Sequence, residues 1–153
     1  MKKVFLAGCA LALAFGMVAP AARAQDPAQK AQNPGVVRDP DLEKESRHNL
    51  EVARHYFKLK KAYRAALARC EEIIAGDPLF SRMDEVLYLA AMSSLRLSES
   101  RGKQAANIPP AQLREDAREY LTRLVTDYPD SDFAKRGKPD LDALGGPITK
   151  QNQ

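Results

Sequence analysis

Apolar residues recur every three or four positions from about Asp39 to Tyr128, and this spacing constrains the fold more than any other feature of the chain. Side chains at positions i, i+3, i+4 and i+7 lie on one face of an α-helix, whereas a half-buried strand needs strict alternation of apolar and polar residues. No segment of the sequence alternates in that way. The sequence therefore predicts an all-α protein.

Turn residues divide the periodic region and the segment after Tyr128 into five predicted helices. Asp39 or Asp41 is suited to cap the first helix, with Pro40 in its first turn. Lys60-Lys61, Gly76-Asp77-Pro78, the polar segment 100–110 and Tyr128-Pro129 interrupt the pattern between helices. The expected inward-facing residues are Leu50, Ala53, Phe57 and Leu59 in the first helix; Tyr63, Ala66, Leu67, Cys70, Ile73 and Ile74 in the second; Met83, Val86, Leu87, Ala90, Ala91, Ser94, Leu95 and Leu97 in the third; and Leu113, Ala117, Tyr120, Leu121, Leu124, Val125 and Tyr128 in the fourth.

The C-terminal part is expected to contain a short fifth helix that carries Phe133. Ser131 is placed to cap that helix. Pro139, Gly145, Gly146 and Pro147 then predict an irregular end to the chain, because proline and glycine disfavour helix interiors.

The second and fourth predicted helices share one pattern. Ala66 lies twelve residues before Pro78, and Ala117 lies twelve residues before Pro129. A small residue allows two helices to approach closely, and a proline stops each helix before the next unit begins. The sequence thus predicts antiparallel helical hairpins stacked as a tetratricopeptide-like α-solenoid of about two to two and a half repeats. The expected repeat-packing residues are Tyr63, Ala66, Cys70, Pro78, Ala117, Leu121, Tyr128 and Pro129.

The first 24 residues have the pattern of a secretory signal peptide. Lys2 and Lys3 precede an apolar run, and Ala22-Arg23-Ala24 matches the small-x-small cleavage pattern, which predicts cleavage between Ala24 and Gln25. An alternative interpretation is lipidation at Cys9, since residues 6–9 match a lipobox. The expected protein is exported to the periplasm.

The mature chain then divides into three parts. Residues 25–39 are rich in Gln, Asn, Pro and Ala and are expected to form a flexible linker. Residues 40–145 are expected to form the helical repeat domain. Residues 146–153 are expected to be a disordered tail.

Three segments carry a resemblance to a known family. Residues 52–57 (VARHYF), 61–69 (KAYRAALAR) and 128–134 (YPDSDFA) resemble repeats and a repeat junction of the BamD (YfiO) family of outer-membrane assembly lipoproteins. The resemblance implies a short BamD-like protein that associates with the outer membrane, binds assembly subunits or substrates through its helical repeats, and carries no metal or cofactor. Periplasmic cell-division coordinators of the Tol–Pal system share the same junction, so an adaptor for cell division or envelope integrity is the alternative.

The charge balance argues against nucleic acid as a partner. The 24 basic and 20 acidic residues give a net charge of +4, and removal of Lys2, Lys3 and Arg23 with the signal peptide would leave +1. A mature chain so close to neutral lacks the strong positive charge that dominates nucleic-acid binding.

The residue types that carry catalysis do not form a recognisable site in the sequence. Cys70 has no histidine one helical turn away and lies on an apolar stripe, so a buried packing role is expected. His48 and His55 are about 10 Å apart along a helix, too far to share one metal ion. We therefore expect no enzyme activity, catalytic residue, metal or cofactor; a small hydrolase or redox enzyme is the alternative from another class.

Two basic segments are the candidates for partner binding. Lys60, Lys61 and Arg64 belong to a cluster of cations in the first hairpin, and Arg101 and Lys103 lie in the 100–110 insertion. The alternative interpretation is an ordinary solvated face for the first group and a solvated connector for the second. The functional interpretation is a docking face for an acidic protein or for anionic lipid headgroups. An array of about two repeats leaves its end faces uncovered, and a homodimer that covers one of them is a further hypothesis.

Overall fold

A computed structural model describes residues 38–148, and this part of the chain is made of helices and connecting turns without a β-strand. The helices are α1 (Pro40–His55), which continues into a π-helical turn (Tyr56–Lys60), α2 (Tyr63–Gly76), α3 (Met83–Ser98), α4 (Pro110–Asp127) and α5 (Asp132–Ala143). The all-α prediction is confirmed for these residues. None of the described helices combines the length and the apolar character that crossing a lipid bilayer requires.

The start of α1 shows how local sequence fixes a helix boundary. The Asp39 carboxylate accepts hydrogen bonds from the backbone N–H of Asp41 at 2.9 Å and of Leu42 at 3.4 Å. Pro40 occupies the first turn, where its missing N–H costs nothing. Asp39 is therefore the residue that caps the helix.

The end of α1 differs from the prediction in one respect. The helix widens into the π-helical turn Tyr56–Lys60 and stops at Lys61, whose backbone is left-handed with φ 53°. Leu59, which was expected to face inward, is 71% exposed. The expectation was wrong even for an ideal α-helix, because Leu59 lies nine residues after Leu50 and at about 100° per residue the two side chains would project to opposite sides. In the structure Leu59 lies in the π-helical turn and is exposed there.

Helix α3 is the central element of the core. It packs most extensively against α4 and α2, and less extensively against α5 and α1. Its predicted inward-facing residues are buried apart from Leu95, which is partly exposed. Ala90, Ala91, Ser93 and Ser94 are all buried, and such small side chains allow neighbouring helices to approach closely.

The aligned positions of α2 and α4 are buried to the same extent. Each of six side chains is at most 2% exposed: Ala66 and its counterpart Ala117, Cys70 and Leu121, and Ile73 and Leu124. Ile74 and Val125, which also align, are both partly buried against the core. The two helices therefore present corresponding faces to the core.

The ends of α2 and α4 also correspond. The residue after each helix donates its backbone N–H to the carbonyl four residues earlier, Asp77 to Ile73 at 2.9 Å and Tyr128 to Leu124 at 3.0 Å. Pro78 and Pro129 follow directly and are exposed. These prolines thus act on the backbone, which cannot continue as a helix, and contribute little to side-chain packing.

A serine in the turn after each of these helices contacts the preceding unit. Ser81 donates its backbone N–H to Glu43 Oε2 at 3.1 Å and its hydroxyl to the same carboxylate. Ser131 donates its hydroxyl to Asp84 Oδ2 at 2.6 Å. Glu43 and Asp84 lie near the starts of α1 and α3, so both turns are attached to the first helix of the hairpin that they follow.

Helix α5 is longer than the sequence indicated. It runs through Pro139 to Ala143, so the prediction that Pro139 belongs to an irregular end was wrong. Gly137 and Leu141 flank the proline on the buried face of the helix. Packing of that face against α4 and α3 outweighs the one backbone hydrogen bond that proline removes.

The residues after α5 return to α4. Arg118 Nε donates to the Gly146 carbonyl at 2.8 Å, and the Ile148 N–H donates to Thr122 Oγ1 at 3.1 Å. The first residues of the predicted tail 146–153 are thus attached to a helix through contacts between positions 26 and 28 apart in sequence. Residues 149–153 lie outside the described part of the chain.

Candidate interaction surface

The insertion between α3 and α4 folds back onto the start of α2. The Lys103 N–H donates to the Lys61 carbonyl at 3.1 Å, and the Ala65 N–H donates to Gln104 Oε1 at 3.0 Å. Arg64 Nη1 also lies 3.5 Å from the Ala105 carbonyl. Ala65 and Gln104 are 39 positions apart in the sequence, and Arg64 and Ala105 are 41 positions apart. The insertion is therefore a structured segment of the bundle end.

Gly102 allows this close approach. Its backbone has φ 97°, a conformation that side chains other than glycine rarely adopt. A Cβ atom at this position would lie 2.5 Å from the Lys61 carbonyl oxygen and 2.6 Å from the Tyr63 ring. The glycine is thus required by both conformation and space.

The result is that all five predicted partner-binding residues lie at one end of the bundle. We define the basic end as the exposed cations of the π-helical turn, the start of α2 and the insertion: Lys58, Lys60, Lys61, Arg64, Arg101 and Lys103. Arg101 is paired with Glu99 at 3.4 Å. No ion pair joins the four lysines to any other residue between positions 38 and 148. The basic end therefore presents largely uncompensated positive charge to solvent.

Arg54, another cation of the first hairpin, has a different role. Its guanidinium donates two hydrogen bonds to Glu85 on α3, at 2.5 and 2.6 Å, and Arg82 donates a third at 2.7 Å. The hydrogen bonds to Glu85 raise the pKa of Arg54 above its usual value, against the opposing effect of burial. Arg54 thus joins α1 to α3 and is not available to a partner.

Arg69 is also separated from the basic end. It pairs with Glu72 on the same helix at 2.6 Å. A pair of this kind, three residues apart on an exposed helix face, neutralises the local charge but contributes little to stability.

Leu59 is the apolar feature of the basic end. Its neighbour Phe57 turns inward and packs edge-on against Tyr63, with 5.2 Å between the ring centroids. Leu59 points away from that pair and is one of two large apolar side chains that are mostly exposed between residues 38 and 148; the other is Leu79. An exposed leucine is thus flanked by Lys58, Lys60 and Lys61.

A second surface was missed at the sequence level. The Arg136 guanidinium on α5 lies 4.8 Å from the ring centroid of Tyr88 on α3 and 5.5 Å from that of Phe133. The two rings are 5.5 Å apart and partly exposed. We define these three residues as the aromatic–arginine cluster. No local pattern in the sequence indicates it, because Tyr88 is 48 residues from Arg136.

The residues considered for catalysis and metal binding belong to neither the basic end nor the aromatic–arginine cluster. Cys70 is fully buried, and burial raises the pKa of its thiol far above the usual value. His48 and His55 are exposed on α1. Within residues 38–148, no group of three or more His, Cys, Asp and Glu side chains is arranged to hold a metal ion. Cys9, Ala24 and Gln25 lie outside the described residues.

In comparison with known proteins, no family model, no curated protein and no solved structure matches this chain.

Proposed function

We propose that this protein is a non-enzymatic periplasmic scaffold of the outer-membrane assembly (BamD-like) type, which binds protein partners through its helical hairpins. The observation that carries the proposal is the correspondence between α2 and α4 in burial, helix ending and the serine contact that follows. Repeated helical hairpins of this kind generate extended surfaces for other proteins. The expected signal peptide supports the compartment, and the resemblance of residues 52–57, 61–69 and 128–134 to the BamD family supports the type of partner.

We propose the aromatic–arginine cluster as the main contact surface for that partner. Tyrosine and arginine are enriched among the residues that contribute most to protein–protein binding. Arg136 is exposed and already stacked against two rings, so little conformational entropy remains to be lost on binding. Helix α3 is the first helix of the second hairpin, and α5 follows that hairpin in the place of the next first helix. In a tetratricopeptide-like arrangement the first helices of successive units pack side by side, as α3 and α5 do around this cluster.

Site-specific photocrosslinking in intact cells tests this proposal. A photoreactive residue at Lys135, next to Arg136, should capture a discrete partner that mass spectrometry identifies as a β-barrel assembly component. A photoreactive residue at Thr126, which is exposed on α4, is the matched control and should capture little. Adding Arg136→Glu to the Lys135 probe should remove the crosslink, because the cluster loses its cation and gains an unfavourable charge.

The identity of the captured protein decides between the interpretations. Capture of Tol–Pal components would favour the cell-division or envelope-integrity adaptor, with which the junction 128–134 is also consistent. Capture of a second copy of this chain would indicate a homodimer in place of a heterologous partner. Equal capture from Lys135 and Thr126, or no reproducible product, would refute the cluster as a binding surface.

A further inference from the structure

We propose that the basic end docks on an anionic phospholipid surface, with the lysines at the headgroup phosphates and Leu59 inserted among the acyl chains. This is a second interaction, separate from the protein-binding surface on α3 and α5. It assigns an orientation to the bundle, with the π-helical turn towards the membrane.

The charge pattern is the first observation. Neither Asp nor Glu occurs between Glu51 and Glu71, nor between Glu99 and Glu115. The fold brings these two acid-free segments together through the Lys103–Lys61 and Ala65–Gln104 hydrogen bonds. Two segments that are remote in sequence therefore form one positive surface.

Leu59 is the observation that favours a lipid over an acidic protein. A single exposed leucine on an ordinary surface needs no explanation. Here the side chain projects from the end of a π-helical turn, 71% exposed, between Lys58 and Lys60. A protruding apolar side chain surrounded by cations suits the membrane interface, where apolar insertion and electrostatic attraction act together. An acidic protein surface would need a recess to receive the leucine.

The orientation of Leu59 is held by the fold. Phe57 is fixed inward by its contact with the Tyr63 ring, and the chain then turns sharply at Lys61 with its left-handed backbone. The insertion, attached to the Lys61 carbonyl, supports the other side of this turn. The leucine and its flanking lysines are therefore presented without the cost of ordering a flexible loop.

Vesicle sedimentation with the purified protein tests the proposal. We expect binding to vesicles of phosphatidylglycerol and phosphatidylcholine, weak binding to pure phosphatidylcholine, and loss of binding as salt is raised. The triple variant Lys58→Ala, Lys60→Ala, Lys103→Ala should bind about 100-fold more weakly, since each cation at such a surface contributes about fivefold. These three side chains make no described hydrogen bond or ion pair, so the fold should be retained.

A second triple variant is the charge-matched control. This variant combines Lys44→Ala, Lys135→Ala and Lys138→Ala. It removes the same net charge, but from the start of α1 and from α5, which packs on α3 and α4. Its binding should change by less than about threefold, because charges beyond a Debye length are largely screened. The N-terminal segment is the same in all variants, so its own affinity for lipid cancels in the comparison.

Leu59→Ala separates a lipid surface from an acidic protein. Binding to anionic vesicles should weaken about tenfold, because affinity at the interface scales with the buried apolar area. Wild-type affinity of Leu59→Ala for anionic vesicles would show that Leu59 does not insert and would overturn the proposal. Equal losses in the two triple variants, or equal binding of the unmodified protein to neutral and anionic vesicles, would also overturn it. None of these outcomes depends on the crosslinking result at Lys135.

Discussion

The ion pair between Arg54 and Glu85 gives the most quantitative test of the way α1 is joined to α3. The Glu85 side chain is 8% exposed and accepts hydrogen bonds from Arg54 at 2.5 and 2.6 Å and from Arg82 at 2.7 Å. Replacing Glu85 by alanine removes the acceptor of all three. The consequence is decided by the arginines that remain, because an unpaired charge away from water is costly.

The magnitude follows from exposure and distance. Two charges about 4 Å apart attract by about 4 kcal/mol at the effective dielectric constant of a partly buried site. The desolvation of both groups offsets roughly half of this attraction, so we expect a coupling free energy of about 2 kcal/mol between Arg54 and Glu85. The Arg54 side chain is 24% exposed, whereas Arg82 at 40% exposed retains water and adds little. Glu85→Ala alone should lower the free energy of unfolding by about 3 kcal/mol.

A double-mutant cycle measured by urea unfolding gives the coupling directly. The four proteins are the wild type, Arg54→Ala, Glu85→Ala and the double variant, and the dependence of unfolding free energy on urea should stay constant across them. The matched control is the cycle for Arg69 and Glu72, whose N–O distance is also 2.6 Å but whose side chains are 41% and 49% exposed.

The control pair should show a coupling of about 0.3 kcal/mol, because water screens both charges and the side chains lose entropy on pairing. The contrast between the two cycles is the result that matters. Equal coupling free energies in the Arg54–Glu85 and Arg69–Glu72 cycles would refute the claim that Glu85 is buried between two arginines. They would also show that this pair does not stabilise the packing of α1 on α3.

Three further results are expected from simple substitutions. Gly102→Ala should destabilise the protein by about 1–3 kcal/mol more than Gly145→Ala in urea unfolding. Both glycines have φ 97°, but only Gly102 has backbone and ring atoms within 4 Å of the new Cβ. Equal effects of the two substitutions would refute the close approach of the insertion. Ala117→Leu should lower the free energy of unfolding by about 1–3 kcal/mol, because it overpacks a fully buried site. Ala68→Leu, at an exposed position of α2, should change it by under about 0.5 kcal/mol. A leucine at position 117 that leaves stability unchanged would contradict the packing of α4. The Cys70 thiol should resist alkylation at mildly alkaline pH and react only as urea unfolds the protein, since burial raises its pKa; rapid labelling of the native protein would show that the site is open.

Much of the candidate surface was visible in the sequence as separate parts. Lys60, Lys61 and Arg64 stood out as one group of cations, and Arg101 and Lys103 as another. Their union at one end depends on hydrogen bonds from the insertion to Lys61 and Ala65, and no local rule fixes the path of an insertion. Leu59 lies nine residues after Leu50 and thus on the opposite side of an ideal α-helix, so the sequence already indicates that it does not share the buried face.

The aromatic–arginine cluster and the Arg54–Glu85 pair were not predictable in this way. Both join side chains far apart along the chain, 31 residues for Arg54 and Glu85 and 48 for Tyr88 and Arg136. Such contacts depend on the distance and angle between packed helices, which the period of apolar residues does not specify.

The sequence by itself determined the helical class, the cap at Asp39, the helix ends before Pro78 and Pro129, and the matching stripes of α2 and α4. These features arise from neighbours within about one or two turns, where backbone hydrogen bonding and side-chain period act locally. Only the tertiary structure decided that α5 continues through Pro139, that the insertion closes against α2, and which cations are paired and which are free. Those outcomes depend on burial and on contacts between distant segments, because packing energy is large enough to override a local preference.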